Sequence, residues 1–128
     1  MDGLIINEPY ASMVIDGKKK WELRSRRPPE NKVGSNIYLL SKGSMLGIIK
    51  IKNFLGPMGA RELKKYYFLH RSDVGNLTDN FVSYVWEVKV CEKFKQRKKY
   101  AHPMGARVWV KDVTSLENHN KSKIVSHF

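Results

Sequence analysis

Residues 84–92 read Tyr-Val-Trp-Glu-Val-Lys-Val-Cys-Glu (YVWEVKVCE). Trp86, Val88 and Val90 alternate with Glu87 and Lys89, which is the period of a strand with one buried and one solvated face. The same reading extends toward the N-terminus. Met45–Phe54, rich in isoleucine, is predicted as a strand. Ile37–Ser41 is its hairpin partner across Lys42-Gly43-Ser44, which is turn chemistry. Over Lys20–Arg24, Trp21 and Leu23 face one way while Lys20, Glu22 and Arg24 face the other, so a half-buried strand with a charged face is expected, with Trp21 in the core. Gly3–Asn7 is a short apolar strand, and Arg107–Val113 is the last one.

Helical signals are few. Glu8-Pro9 opens a short helix, with Pro at a first-turn position where its missing N–H costs nothing. Ala11, Val14 and Ile15 recur at helical spacing, and Gly17 supplies the left-handed stop. Ala60 to about Leu69 carries helix formers with Leu63, Tyr66 and Tyr67 in reach of one face. Thr78 is predicted to cap a second short helix running to Ser83 and burying Phe81. This order of elements gives an α+β class: a small, twisted, partly closed β-barrel of five to six strands with two to three flanking helices.

No linker divides the 128 residues, 14.9 kDa in mass. The expectation is a single domain over 1–114 and a polar, frayed tail over 115–128. With 41% hydrophobic and 28% charged residues the balance is globular rather than disordered. No run approaches the roughly 18 apolar residues of a membrane span, and no signal-peptide pattern opens the chain, so a cytoplasmic protein without membrane attachment is expected. Cys91 alone forms no internal disulfide, and the four histidines show no zinc spacing, so neither a metal nor another cofactor is expected.

Charge carries the strongest functional signal. Lys and Arg number 24 against 12 acids, a net +12, well above the magnitude of about 2 to 8 that keeps a small domain soluble. Such an excess costs compactness through self-repulsion and favours a polyanionic partner. Lys18, Lys19, Lys20, Arg24, Arg26 and Arg27 form one cluster around Trp21, while Lys93, Lys95, Arg97, Lys98 and Lys99 form another between Phe94 and Tyr100. Basic groups interleaved with flat aromatics suit phosphates and stackable bases. Neither cluster follows an amphipathic helical pattern, which disfavours a membrane surface. The second cluster is expected to lie in a loop. Pro57-Met58-Gly59-Ala60-Arg61 recurs as Pro103-Met104-Gly105-Ala106-Arg107, and each copy offers a Gly turn followed by an Arg.

The stretch Pro9-Tyr10-Ala11-Ser12, then Gly17-Lys18-Lys19, then Glu22-Leu23-Arg24 resembles the P-[YW]-A-S, G-x-K and E-x-R pattern of the ASCH domains, named for homology to the activating signal cointegrator. Ile37–Ser41, Gly47–Ile51, Tyr84–Val88 and Gly105–Val110 fit the same family, so the resemblance covers roughly residues 3 to 113. It implies a PUA-like fold that binds nucleic acid, RNA favoured over DNA, in a cleft beside the first helix. No obligate protein partner is implied. Carried over, Lys19, Glu22 and Arg24 line that cleft, Ser41 joins them, and Tyr10 stands ready to stack. Lys18, Lys20, Arg26, Arg27, the 93–99 cluster and Arg107 supply further nucleic-acid contacts.

The residues themselves allow two readings of this set. Glu22 and Arg24 share a face of a strand, so a fork of donors and an acceptor meet there for phosphate or a base edge. They are equally a plain ion pair worth about 0–1 kcal/mol on a surface. An enzyme is the alternative function. Some relatives resembling this family are amidohydrolases of acylated cytidine, and others are ribonucleases. In either case Lys19 and Glu22 are the catalytic candidates, with Asp73 as a further acid. Glu22 stands where the amidohydrolase branch carries Thr. Neighbouring cations depress the Lys19 pKa while Glu22 raises it. His102 and His70 show no partner in the sequence.

Overall fold

The computed structural model describes residues 1–75 and 77–117. Among the described residues, six strands form one sheet: β1 (Gly3–Ile5), β2 (Trp21–Arg24), β3 (Asn36–Ser41), β4 (Ser44–Gly59), β5 (Val82–Lys99) and β6 (Trp109–Val110). Their spatial order is β2-β5-β4-β3-β1-β6. Only β1 and β3 run parallel; the other neighbouring pairs are antiparallel. Three short α-helices accompany them among the described residues, α1 (Tyr10–Ile15), α2 (Ala60–Lys64) and α3 (Tyr67–His70). The expected α+β architecture is therefore present, and the sheet curls without closing.

The curl comes from β4 and β5, a ribbon of 16 and 18 residues whose register shifts at four places. Each irregularity adds local bend and twist, so a long ribbon wraps instead of lying flat. At one shift, between Met45 and Gly47, the chains nearly touch: a Cβ on Gly47 would sit 2.2 Å from the Glu92 carbonyl oxygen and 2.7 Å from Ile15. Glycine is what lets α1 settle there. The β3–β4 hairpin turns on Lys42 and Gly43, both at positive φ (51° and 75°), the pattern of a two-residue primed turn.

Inside the curl, α1 contributes Ala11, Val14 and Ile15 to a core with Leu4, Ile6, Ile37, Leu39, Leu46, Ile49, Ile51, Trp86 and Val88. Burial of Val14 or Ile15 stabilises the helix against the sheet by about 1.5–3 kcal/mol each, far more than six residues of helix propensity supply. On the outer side of β2 and β5, Trp21, Val85, Leu63 and Val74 form a separate cluster. Trp21 is thus in the core, and Tyr66 packs on it at 5.1 Å. A third cluster joins Leu40, Met45, Tyr100, Val110 and Val113.

Several expected boundaries change. The basic 93–99 segment is strand rather than loop: Lys93, Lys98 and Lys99 pair with Gly47, Met45 and Ser44. Phe94 supplies the inward position, packing on the third cluster while its charged neighbours face water. The helix expected over 78–83 is absent, because Val82 and Ser83 extend the β5 ladder opposite Gly59 and Met58. A few residues of helix cannot outweigh that pairing. Phe81 remains half-buried against the Trp21 cluster. The single helix expected over 60–69 is two, broken at Lys65 and Tyr66. The last strand is shorter than predicted, and Val113–Leu116 forms a 3-10 turn after it. Leu116 packs on the third cluster, and Glu117 bridges to Tyr100. The rest of the predicted tail, 118–128, lies outside the described residues.

Candidate nucleic-acid interface

Strand β2 places Glu22 and Arg24 on the same face as Trp86 and Tyr84, their cross-strand partners on β5. Glu22 is buried, and its Oε2 receives the Arg24 guanidinium at 2.9 Å from Nε and 2.8 Å from Nη2. Arg24 Nη2 also donates to the Ile5 carbonyl oxygen at 2.8 Å. The charged face of β2 is thus no solvated surface; it turns into the opening between the β2 and β1–β6 ends of the sheet.

Lys19 arrives from the turn after α1 and is 2% exposed. Its ammonium donates to the His70 carbonyl and to Ser72 Oγ (3.2 Å), lies 3.6 Å from Glu22 Oε1, and sits 5.0 Å from the Tyr10 ring centre. Burial lowers its pKa below the usual lysine range, Glu22 opposes that shift, and Arg24 adds to it. The main cause is therefore desolvation; Lys18 and Lys20, expected to depress it by their charge, are exposed. His70 is fully buried, donating from Nε2 to the Leu63 carbonyl (2.7 Å) and accepting the Ser72 amide at Nδ1 (3.0 Å). Its acceptor and donor partners fix this neutral tautomer.

Beside Arg24 the sheet opening forms a cleft of about 550 Å³ lined by Arg24, Arg26, Arg27, Trp86, Val108 and Trp109. Trp86 and Trp109 stack at 6.1 Å with planes 21° apart. Arg24 contacts the Trp86 ring at 5.6 Å and Lys32 the Trp109 ring at 5.5 Å. Trp86 Nε1 donates to the Arg26 carbonyl (2.8 Å), which holds the arginine-bearing segment over the cleft. Arg27 lies 5.8 Å and 5.7 Å from the Phe54 and Tyr84 rings. Arg26 and Arg27 are exposed and have no acidic partner among the described residues.

The structure therefore brings Tyr10, Lys19, Glu22 and Arg24 together, with Arg26 and Arg27 alongside. It does not bring Ser41 there. Ser41 is buried at the β3–β4 turn, paired with Ser44, and its hydroxyl has no hydrogen-bond partner among the described residues. Asp73 is exposed and caps the Gly75 amide (3.0 Å) rather than meeting Lys19. The 93–99 cluster flanks the opposite side of α1: Lys93 pairs with Asp16 (2.7 Å), and Arg97 reaches Glu8 (3.2 Å) and Ser12 (3.0 Å). Lys95, Lys98 and Lys99 have no ion-pair partner among the described residues. Arg107 lines a second cavity with Lys42 and His102. The repeated pentapeptides differ in conformation, since Gly59 is extended and Gly105 has φ +82°.

Of the cleft residues named above, Trp86, Val108 and Trp109 are not among those expected from the sequence. Alternation marks the tryptophans as strand residues, and nothing local says that β5 and β6, four places apart in the sheet order, bring them together. Among the described residues, no group of three or more His, Cys, Asp or Glu side chains stands together to hold a metal. No described helix is long and apolar enough to cross a membrane.

The family model of the ASCH domain matches residues 4–124. No curated protein sequence matches the chain. Among solved structures it is similar to two crystal structures of single-residue mutants of ZmASCH from Zymomonas mobilis. One is 12% identical with a TM-score of 0.57, covering 98% of this chain and 94% of that one. The other is 14% identical with a TM-score of 0.55, covering 98% and 96%. At that identity the likeness concerns the fold.

Proposed function

The chain belongs to the ASCH domain family, and from that premise we propose that it is an RNA-binding module whose specific contacts lie in the cleft at the sheet opening. The observation that carries this reading is the composition of that cleft: three arginines and two stacked tryptophans around about 550 Å³, in a chain of net charge +12. Guanidinium planes stack on bases and fork onto phosphates, and Trp walls exclude water around them. Splayed, unpaired bases are what such a site accepts, so single-stranded RNA is the ligand class, with the family's RNA-binding character favouring RNA over DNA.

In this reading Arg26 and Arg27 engage the ligand directly. Both Glu22 oxygens face cations of the chain itself, so Glu22 positions Arg24 and Lys19 rather than accepting from a base amine. The exposed lysines of β5 add sequence-independent attraction around α1. Titrating a labelled single-stranded RNA, the same RNA as duplex, and the equivalent DNA at several salt concentrations tests the reading. Preference for the single-stranded RNA, weakened at least tenfold by Arg26→Gln with Arg27→Gln, supports it. Equal weak binding of all three ligands, insensitive to those substitutions, overturns it.

A further inference from the structure

On the other side of the 106–109 segment from the tryptophan cleft lies a second cavity, about 470 Å³ in volume. Asn7, Lys42, Tyr100, His102 and Arg107 line it, and no acid does among the described residues. Lys42 and Arg107 are exposed and have no carboxylate partner among the described residues. Lys42 owes its place to the hairpin turn, where its φ of 51° is set by the tight connection between β3 and β4.

The floor is rigid. His102 Nε2 lies 2.9 Å from the Ala106 carbonyl, which only accepts, so this nitrogen carries the proton. Nδ1 is then the acceptor for the Tyr100 hydroxyl at 2.8 Å. Tyr100 itself is buried in the third core cluster. The two rings therefore form a fixed polar wall, and Lys42 and Arg107 stand as uncompensated cations around it. Such a lining selects an anion; with Tyr100 buried, it offers little aromatic face for a base, unlike the neighbouring cleft.

We propose that this cavity is a phosphate subsite, holding a backbone phosphate of the same RNA strand whose base occupies the tryptophan cleft. This rests on the reading given above. Arg107 and Trp109 are two residues apart, at most about 7 Å of extended chain, which is about two steps of a stacked strand at 3.4 Å each. The 106–109 segment is then a ridge crossed by the strand, with Arg107 on the phosphate side and Trp109 on the base side.

The test compares the salt dependence of binding for an eight-nucleotide single-stranded RNA with wild-type protein, Lys42→Gln/Arg107→Gln, and a control, Lys64→Gln/Lys65→Gln on α2. Losing the one phosphate contact that the two cations share lowers the slope of log K against log salt by about 0.7. That drop in the cavity variant, with the control unchanged, supports the subsite. Wild-type slope in the cavity variant, or an equal drop in the control, overturns it while leaving the cleft reading in place. If wild-type protein does not bind the RNA at all, the cleft reading falls and the subsite falls with it.

Discussion

Arg24 donates from Nη2 to the carbonyl oxygen of Ile5 at 2.8 Å. The two residues lie on β2 and β1, which stand four places apart in the sheet order, so one side chain links ends that no ladder joins. The same guanidinium holds Glu22 through Nε and Nη2. One planar fork therefore fastens the opening and carries the wall of the cleft beside it.

Arg24→Lys keeps the charge and loses the fork. A single ammonium cannot hold the Glu22 carboxylate at both distances and still reach Ile5. A hydrogen bond to a charged group contributes about 1.5–3 kcal/mol, and a loss of that size is the expected drop in unfolding free energy. A urea midpoint equal to wild type would show that the link across the opening is not structural.

Glu22→Gln removes the charge that opposes burial at Lys19. With the carboxylate gone, desolvation and the Arg24 charge act unopposed, and the Lys19 pKa falls further than in wild type. The titration of the Lys19 side-chain resonances by NMR is expected to move to lower pH. An unchanged midpoint would mean that the carboxylate, 3.6 Å away, is screened from the amine.

The legible part of this fold was the part set by local alternation. Trp21 and Leu23 against Glu22 and Arg24 announced both a buried face and a charged one, and the structure keeps that division. What local pattern did not carry was where the charged face points, because that depends on the sheet curling back until Arg24 meets Ile5. The 93–99 segment shows the same limit. Its run of cations reads as a loop, and only the pairing with Gly47, Met45 and Ser44 makes it strand. The repeated Pro-Met-Gly-Ala-Arg segments, extended at Gly59 and left-handed at Gly105, show five identical residues taking the conformation of their surroundings. His70 gave no signal at all, since its partners are main-chain groups of Leu63 and Ser72.

Acidification tests the buried histidine. Burial lowers the His70 pKa below 6.5, and the Lys19 charge adds to this against the opposing bond to Leu63. The unfolded chain takes up a proton near pH 6.5 while the folded one does not, so stability falls as pH drops below about 6.5. Asp2, Glu8 and Asp16, with lowered pKa values, act only in the more acidic carboxylate range. The urea midpoint of wild type is expected to decline between pH 7.5 and 5.5, and that of His70→Gln to stay flat there even if lower throughout. Parallel declines would contradict the assignment.

On the far side of α1, Lys95, Lys98 and Lys99 stand without ion-pair partners among the described residues, whereas Lys93 and Arg97 are held by Asp16 and Glu8. Changing Lys95, Lys98 and Lys99 together to Gln is expected to weaken binding to all RNA sequences alike and to lower the salt slope by up to about 2. The sequence preference is expected to remain. Sequence-selective weakening would instead place base contacts on β5.

In the proposed complex, RNA lies in the cleft bounded by the arginine segment after β2 and by Trp109. Photo-cross-linking single-stranded RNA to the wild-type protein, followed by identification of the modified peptides, locates it. Adducts are expected within 24–29 and 106–109, lost on competition with unlabelled RNA. Adducts confined to 93–99, with none at Arg26, Arg27 or Trp109, would contradict it.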